Sequence, residues 1–269
     1  MARFGRFVLL EPVKRGGMAE IWLARDDAHH HYALRVMHAE LESQRAARRR
    51  FLHGCKVLAA LQPHPFIVRY YEHGRHAGRH YLAMEYVEGE NLKERAARGD
   101  PVLAENVAQI LLDMAVALEH MHDRGYMHLD FKPENVLVTP GASIRLVDFD
   151  IAQPIPPAPV RLDRNPGTPS YMAPEQLLRQ PLDQRVDIFA YGVTAYELLT
   201  HQKPFEGSTP EEILRSQQDP ARLRPPRELN PDIPPALERI LLRCLQPDPN
   251  RRYAVMGHLR HDLETVLYR

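Results

Sequence analysis

Two acidic residues stand in short motifs whose residue types could act on a phosphate group. Asp130 lies in HLDFKPENVLV, which spans 128–138, and Asp148 lies in VDFDIA, which spans 147–152. Apolar runs beside both motifs predict short strands. Carboxylates also cap turns between strands, so the pattern by itself leaves a structural role open. The pair therefore raises the question of whether it marks a phosphoryl-transfer site.

The composition predicts a globular chain without a strong electrostatic preference. Its 269 residues are enough for one large domain or two packed lobes, and 44% of them are hydrophobic. Lysine plus arginine and aspartate plus glutamate number 35 each, so we expect neither nucleic acid nor a membrane as a partner. No apolar run approaches the roughly 20 residues of a membrane span. Cys55 and Cys244 follow no metal or redox spacing, which predicts reduced buried thiols and a cytoplasmic location.

The pattern of apolar residues changes from strands to helices along the chain. Short apolar runs in the first part predict the strands FVLLEPV, AEIWLAR, HYALRVM, FIVRYYEHG and RHYLAMEYV. A helix is expected over 42–61, between the third and fourth of these strands. After Gly89, helical spacing predicts helices over 106–124, 187–199, 210–217, 235–245 and 255–268. The sequence therefore predicts an α+β fold with a small β-rich lobe, 1–86, and a larger helical lobe, 87–269.

A series of motifs, taken in order, resembles the eukaryotic-type protein kinases. The GGM within the first of them resembles the bacterial members of that family in particular. The motifs are RGGMAEIWLARD, YALRVM, HPFIV, AMEYVEG, HLDFKPEN, VDFD, GTPSYMAPE, DIFAYG and DPNRR. Each is a weak match alone, but together they cover nearly the whole chain. The resemblance implies a bilobal kinase fold, in which a five-stranded antiparallel sheet and the first helix sit over a helical lobe.

The resemblance also implies a role for each polar residue of the two opening motifs. Phosphoryl transfer requires positioning and charge compensation more than covalent chemistry. Asp130 would accept or orient the proton of the attacking hydroxyl group, and Lys132 would face the transferred phosphate. Asn135 and Asp148 would bind Mg²⁺ through oxygen atoms. In the same way, Asp187 would hold the backbone of the catalytic loop.

A second set of residues would hold ATP if the resemblance carries over. The purine would lie between the apolar side chains of Val13, Ile21, Ala33 and Leu137. The backbones of Glu85 and Val87 would bind adenine, Met84 would guard the back of the pocket, and Asn91 would reach the ribose. Plain core packing explains the apolar members of this set equally well.

The upper lobe departs from the family pattern at the phosphate-anchoring positions. Arg35 stands where the family has a lysine that holds the phosphates, and Gly54 stands where it has the glutamate that pairs with that lysine. Arginine is larger and planar, so it does not substitute freely at a tight contact. Glycine costs about 1 kcal/mol relative to alanine inside a helix, so we expect the first helix to be loose or broken there. An acidic residue supplied by a partner could then pair with Arg35.

The glycine-rich loop keeps only part of its pattern. Gly16 retains a family glycine and Gly17 follows it, while Lys14 and Ala19 occupy the other two glycine positions. Lys14 could reach the phosphates that the missing lysine would have held. A solvated lysine at the end of a strand is the alternative.

The segment after Asp148 lacks the features of phosphorylation control. Leu129 replaces the arginine that would bind a phosphorylated segment, and no Ser, Thr or Tyr occurs between Asp150 and Gly167. Both the phosphate acceptor and its receptor are absent, so we expect no control of this kind. Asp150 replaces a family glycine and is expected either to raise the affinity for Mg²⁺ or to face solvent.

These observations leave three functions open. The first is Mg-ATP-dependent phosphorylation of Ser or Thr in a protein substrate, with an atypical phosphate-anchoring site. The second is a pseudokinase, which would bind nucleotide or a regulatory partner without transferring phosphate. The third is a small-molecule kinase of the aminoglycoside or choline type. Asp150 resembles the acid that those kinases have at this position. Thr168, expected beside Asp130 in the pocket for a Ser or Thr, and the protein-binding motifs around it argue against the third.

Overall fold

An antiparallel sheet forms the first lobe. In a computed structural model, which describes residues 2–162 and 167–268, the strands pair in the order β1-β2-β3-β4-β6-β5. They are β1 (Arg3–Phe4), β2 (Phe7–Arg15), β3 (Ala19–Arg25), β4 (His31–Met37), β5 (Tyr70–His76) and β6 (Arg79–Glu85). The five predicted strands are therefore present, and the short β1 extends the sheet at one edge.

Strand β4 lies inside the sheet and presents a different set of residues to each face. Side chains alternate between the faces of a strand. Tyr32, Leu34 and Val36 pack into the cluster that also contains Phe7 on the outer face. Ala33 and Arg35 consequently point to the opposite face, toward the rest of the molecule.

One helix, α1 (Arg45–Ala60), packs against the inner face of the sheet. Phe51, Val57 and Leu58 are buried in the main core, which continues into the second lobe. The helix runs unbroken through Gly54, so the expectation of a loose or broken helix there was wrong. The cost of glycine is local, and the packing of this face outweighs it.

The second lobe is mainly helical. Its helices are α2 (Leu92–Ala97), α3 (Pro101–Asp123), α4 (Pro174–Leu177), α5 (Arg185–Thr200), α6 (Pro210–Gln218), α7 (Pro226–Leu229), α8 (Pro235–Cys244) and α9 (Met256–Leu267). Short strands accompany them: β7 (Glu90–Asn91), β8 (Tyr126–Met127), β9 (Val136–Val138), β10 (Ile144–Leu146) and β11 (Gln153–Pro154). The bilobal kinase fold that the motifs implied is therefore present.

The long helix α3 begins five residues earlier than predicted. Asp100 caps it by accepting a hydrogen bond of 3.0 Å from the Val102 amide, and Pro101 fills the first turn. Proline is favoured there because its missing N–H would have no partner in the helix. The prediction followed the apolar spacing, which begins later, and overlooked the Asp-Pro start signal.

By length and hydropathy, α3 is the one helix among the described residues that could span a membrane. The expectation that no segment would span a membrane is therefore not confirmed. In this fold α3 packs against α5 and α9, and Ile110, Leu111 and Met114 are fully buried in the core. This packing is that of a central helix in a helical lobe.

The segment between α1 and β5 is hydrogen-bonded to the helical lobe just before strand β5. Ile67 forms a parallel bridge with Leu146, and the Val68 amide donates a hydrogen bond of 3.1 Å to the Leu146 carbonyl. These residues pair with the end of β10, so β5 begins later than the predicted strand. After β6 the chain crosses to β7, and the proposed boundary between 86 and 87 falls within this crossing.

Both cysteines are buried and carry free thiols, as predicted. Burial raises the pKa of Cys55 to about 12, which keeps it protonated and unreactive. A buried ion pair joins two distant segments of the helical lobe. Arg252 donates to both carboxylate oxygens of Glu175 at 2.7 and 2.8 Å, and both side chains are buried.

Candidate active site

One buried carboxylate, that of Asp187, anchors the backbone of the catalytic loop. Asp187, on α5, accepts hydrogen bonds from the amides of His128 at 2.8 Å and Leu129 at 2.9 Å. It also accepts one of 2.9 Å from the His122 ring. Burial opposes ionisation, but the hydrogen bonds from His122 and the loop outweigh it and lower the pKa of Asp187. The predicted role of Asp187 is confirmed.

Asp130 is held in place by two neighbours that the sequence predicted to lie beside it. One of its oxygens accepts hydrogen bonds of 3.0 Å from both the amide and the hydroxyl group of Thr168. Lys132 donates to the other oxygen at 2.7 Å and to the Thr168 hydroxyl at 2.6 Å. The three side chains form a closed network in which the carboxylate and the ammonium group share one site.

Asn135 and Asp148 present oxygen atoms suited to a magnesium ion. The Asn135 amide nitrogen donates to the Asp130 carbonyl at 2.9 Å, which leaves its side-chain oxygen for a cation. The Val147 amide bonds to the Asn135 carbonyl at 2.9 Å and so joins the two segments. Asp148 is exposed in the cleft. Mg²⁺ in kinase sites takes one or two protein oxygens together with phosphates and water, and this donor set fits that chemistry.

Arg35 forms a buried ion pair with a residue that was not predicted to be its partner. Its two terminal nitrogens donate to the two oxygens of Asp150 at 2.7 and 2.6 Å. The Arg35 side chain is 16% exposed and the Asp150 side chain 4%. Burial lowers the pKa of Arg35, but the charge and hydrogen bonds of Asp150 more than offset this, and the pKa lies above its usual value. Asp150 therefore neither faces solvent nor is free to bind Mg²⁺, and Arg35 needs no acid from another chain.

Gly54 makes room for this ion pair. A Cβ atom built on Gly54 would lie 3.1 Å from the Cα atom of Asp150, and its contact with the Asp150 carboxylate would be closer still. Real Cβ atoms essentially never approach another atom as closely as that carboxylate would require. The position that the family fills with a glutamate is therefore closed to any side chain while Asp150 occupies its present place.

The inner face of the sheet gathers most of the predicted nucleotide-binding residues. Ile21 is paired directly with Arg35, and Ala33 with Met84. Lys14 is paired with Ile21, which brings it onto the same face as Arg35. Val13 is skipped in the pairing of β2 with β3 and is half exposed.

The glycine-rich turn between β2 and β3 has an additional anchor. The Gly16 amide bonds to the Ala19 carbonyl at 2.9 Å, and the buried His38 ring contacts the Gly16 carbonyl at 2.7 Å. His38 also donates its amide to the Met18 carbonyl at 3.0 Å. Gly17 has open space around its Cα atom. The turn is thus fixed at its base and open at its tip.

The residues of the connection between the lobes differ in what they leave available. The Glu85 amide is already bonded to the Arg69 carbonyl at 2.8 Å, and its carboxylate contacts Arg145. Within the described residues, the Val87 backbone has no hydrogen-bond partner, so it remains open to adenine. Leu137, on β9, packs against the main core. The nucleotide contacts of these residues remain predictions.

Asn91 has a different task in the fold from the one predicted. Its side-chain oxygen accepts a hydrogen bond of 3.0 Å from the Glu94 amide and caps α2. Only 7% of Asn91 is exposed. The predicted contact with ribose therefore has no support in this geometry.

Comparison with known proteins identifies the family. Residues 7–263 match the family described as protein kinase domain. The chain belongs to the protein kinase family. It is 31% identical to the serine/threonine-protein kinase PknB of Mycolicibacterium smegmatis, covering 97% of this chain and 43% of that protein. It is 32% identical to the serine/threonine-protein kinase pkn2 of Myxococcus xanthus, covering 92% of this chain and 31% of that protein. The kinase domain described here thus spans less than half the length of these curated relatives.

Sequence reasoning missed three positioning residues of this kinase domain. Asp150 was assigned to metal or solvent, and His38 and His53 were not singled out at all. A signal for the first was present, because Arg35, Gly54 and Asp150 are all departures from the family pattern and together suggest a compensated change. No local pattern marks the two histidines, since each contacts a backbone carbonyl on a distant segment.

Asp187→Asn tests the anchor of the catalytic loop. We expect it to lower the free energy of unfolding by about 2 kcal/mol or more at pH 7, because a buried amide cannot accept all three hydrogen bonds. The pKa of Asp187 is lowered by folding, so the carboxylate stabilises the fold above its unfolded pKa, about 4. That contribution is lost as the pH falls through the lower folded pKa.

Urea unfolding of wild type and Asp187→Asn, from pH 7 down through the folded pKa of Asp187, measures the effect. The difference between wild type and Asp187→Asn should shrink in acid, while Asp27→Asn at an exposed position should differ from wild type by less than about 0.5 kcal/mol throughout. A difference that stays constant with pH would contradict the assignment.

Proposed function

We propose that this domain transfers the γ-phosphate of Mg-ATP to a Ser or Thr hydroxyl group of a protein substrate. The observation that supports it most is the network of Asp130, Lys132 and Thr168, which holds a carboxylate and an ammonium group together at the entrance of the cleft. A pseudokinase, which binds nucleotide or a partner without transferring phosphate, would not need this arrangement. The names of the relatives, which are serine/threonine-protein kinases, point the same way.

In this proposal each polar side chain has one task. Asp130 accepts or orients the proton of the substrate hydroxyl, and Lys132 offsets charge on the transferred phosphate. Asn135 and Asp148 hold Mg²⁺, which when bound neutralises charge on the phosphates. Thr168 keeps the Asp130 carboxylate aimed at the hydroxyl group.

Arg35 can still contact phosphates while it is paired. A guanidinium group has five N–H donors, and the pair with Asp150 uses one on each terminal nitrogen. The others remain for the phosphate oxygens, as an anchoring site built on arginine would need. Because Asp150 neutralises the charge, Arg35 contributes hydrogen bonds more than net charge.

The two rival functions differ in their support. The pseudokinase alternative rests on the altered anchoring residues, Arg35 and Gly54, and it stays open until transfer is measured. The small-molecule kinase alternative rested on the acid at Asp150. Since that acid is buried against Arg35, the similarity no longer supports a metal site of that type. A protein substrate or regulatory partner and a cytoplasmic location remain predictions.

Transfer of labelled γ-phosphate tests the proposed function. Wild type should phosphorylate itself or a generic protein substrate, and Asp130→Ala and Asp148→Asn should each lower the rate by at least about 100-fold. Asp27→Asn, an exposed change of the same kind, should leave the rate unaltered. Nucleotide binding is measured on the same samples.

Three results would contradict this proposal in different ways. Binding without transfer would indicate a pseudokinase. Transfer that requires an added hydroxylated or amino-sugar compound would indicate a small-molecule kinase. Transfer that survives both substitutions would show that the proposed residues do not carry the reaction.

Lys14→Ala tests whether this lysine contributes to phosphate binding. We expect the Kd for Mg-ATP to rise about tenfold, equivalent to ~1.4 kcal/mol, because Lys14 shares the inner face with Arg35. Calorimetric titration with ATP and with adenosine separates the phosphate contribution, since adenosine binding should be unaltered. Lys56→Ala, at an exposed lysine of α1, is the control. Equal ATP affinity in Lys14→Ala and wild type would assign Lys14 to solvent.

A further inference from the structure

The residues of helix α1 do little to stabilise it as an isolated helix. Its N-cap, Gln44, makes no side-chain capping bond, and its first turn carries no acid. The stretch RAARRR places arginines at this end, where the helix dipole is unfavourable for positive charge. Gly54 lowers helix propensity in the middle. The placement of α1 therefore depends on its tertiary contacts.

Several of those contacts join α1 to the segment that follows Asp148. Gly54 lies directly against Asp150. His53 contacts the Ala152 carbonyl through its ring nitrogen at 2.6 Å. Phe51 lies under the Arg35 guanidinium, with 5.1 Å between the Arg35 Cζ atom and the ring centroid. Arg35 thus touches α1 on one side and Asp150 on the other.

These contacts hold the residues that directly follow Asp148, the candidate metal ligand. Its φ of 66° is unusual for a residue with a side chain and persists only where the surroundings impose it. The hydrogen bond from the Asp150 amide to the Asp148 carboxylate is long, at 3.4 Å, and cannot impose it alone. Phe149, which is buried in the main core, and the Val147 amide, which is bonded to Asn135, anchor the backbone on either side of Asp148. The buried side chain of Asp150, two residues along the chain, is the anchor that joins this segment to α1 and β4.

We propose that Arg35, Gly54 and Asp150 form a permanent clamp that holds the segment after Asp148 against α1 and positions the Asp148 carboxylate for Mg²⁺. This inference rests on the proposed use of Mg-nucleotide. The three are positioning residues in this role. The clamp is an ion pair between two side chains of the chain itself, so it needs no phosphorylation.

The rest of the described segment is held without a phosphate as well. Strand β11 pairs with β8, and the backbones of Val160 and Leu182 exchange two hydrogen bonds of 3.0 and 2.9 Å. Leu129, at the position of the family's phosphate-binding arginine, shares a buried apolar cluster with Ile151. Apolar contacts therefore surround the position at which the family's arginine would receive a phosphate. Residues 163–166, which also lack a hydroxyl group, lie outside the described residues.

The first test replaces Asp150 by Asn, which removes the charge and keeps the size. Two quantities are measured: the ratio of ADP affinities with and without Mg²⁺, by calorimetry, and hydrogen exchange of the amides of 149–152. We expect the Mg²⁺-dependent gain in affinity to fall by about tenfold, as for loss of a group that orients a metal ligand. Exchange over 149–152 should become faster. Asp27→Asn, at an exposed Arg–Asp pair, should alter neither quantity.

Two further variants keep the test decisive if Asp150→Asn folds poorly. Gly54→Ala should shift both quantities in the same direction, although alanine is the better helix former, because its Cβ atom displaces Asp150. The double variant Arg35→Met/Asp150→Ala leaves no unpaired buried charge, so it is expected to fold. It should still show faster exchange over 149–152, and adding Gly54→Ala to it should have a smaller effect than in wild type.

The outcomes separate the clamp from the proposed function. Lower thermal stability of Asp150→Asn and Gly54→Ala with an unchanged Mg²⁺ effect and unchanged exchange would overturn the clamp and leave a merely structural ion pair. Wild type that binds no nucleotide would defeat the proposed function and the magnesium role with it. Hydrogen exchange would then still decide whether the clamp holds the segment.

Discussion

The buried ion pair between Arg35 and Asp150 is the constraint on which the rest of the site depends. It joins the central strand of the sheet to the segment that carries Asp148, and Gly54 on α1 provides the space for it. A buried pair need not add net stability, but removing one partner typically costs about 3–5 kcal/mol because a charge is left unpaired. The three residues are therefore mutually dependent, and a change at one is tolerated only with changes at the others.

The position of this pair affects how charge is distributed in the cleft. Arg35 and Asp150 neutralise each other, whereas Asp130 and Asp148 bring two carboxylates close to where phosphates would bind. Lys132 already shares hydrogen bonds with Asp130. Mg²⁺ and the exposed Lys14 are the remaining sources of positive charge that the proposed reaction would use. The balance of charge in the cleft therefore depends on Asp148 being placed where it can bind Mg²⁺.

The sequence predicted the fold and much of the site because its motifs are local and ordered. The network of Asp130, Lys132 and Thr168 and the anchor at Asp187 follow from residues within those motifs. Predictions failed where a distant partner decides the outcome. Gly54 was interpreted as a weak point because helix propensity is local, but the group that requires glycine is Asp150. Arg35 and Asp150 are 115 positions apart, and no periodicity relates them. The early start of α3 was different, since Asp100 and Pro101 carried a signal that apolar spacing alone did not use.

The acidic partner of Arg35 lies on the segment after Asp148 and not on α1. Variants that place the acid on α1 instead test this arrangement most directly. The measurement is thermal unfolding and Mg-ATP binding of Gly54→Glu, Arg35→Lys/Gly54→Glu and Arg35→Lys/Gly54→Glu/Asp150→Gly. We expect the first two variants to be destabilised, because the introduced glutamate meets Asp150. The triple variant should recover stability and nucleotide affinity toward wild type. A Gly54→Glu protein as stable as wild type, or a triple variant no better than the double, would contradict the account.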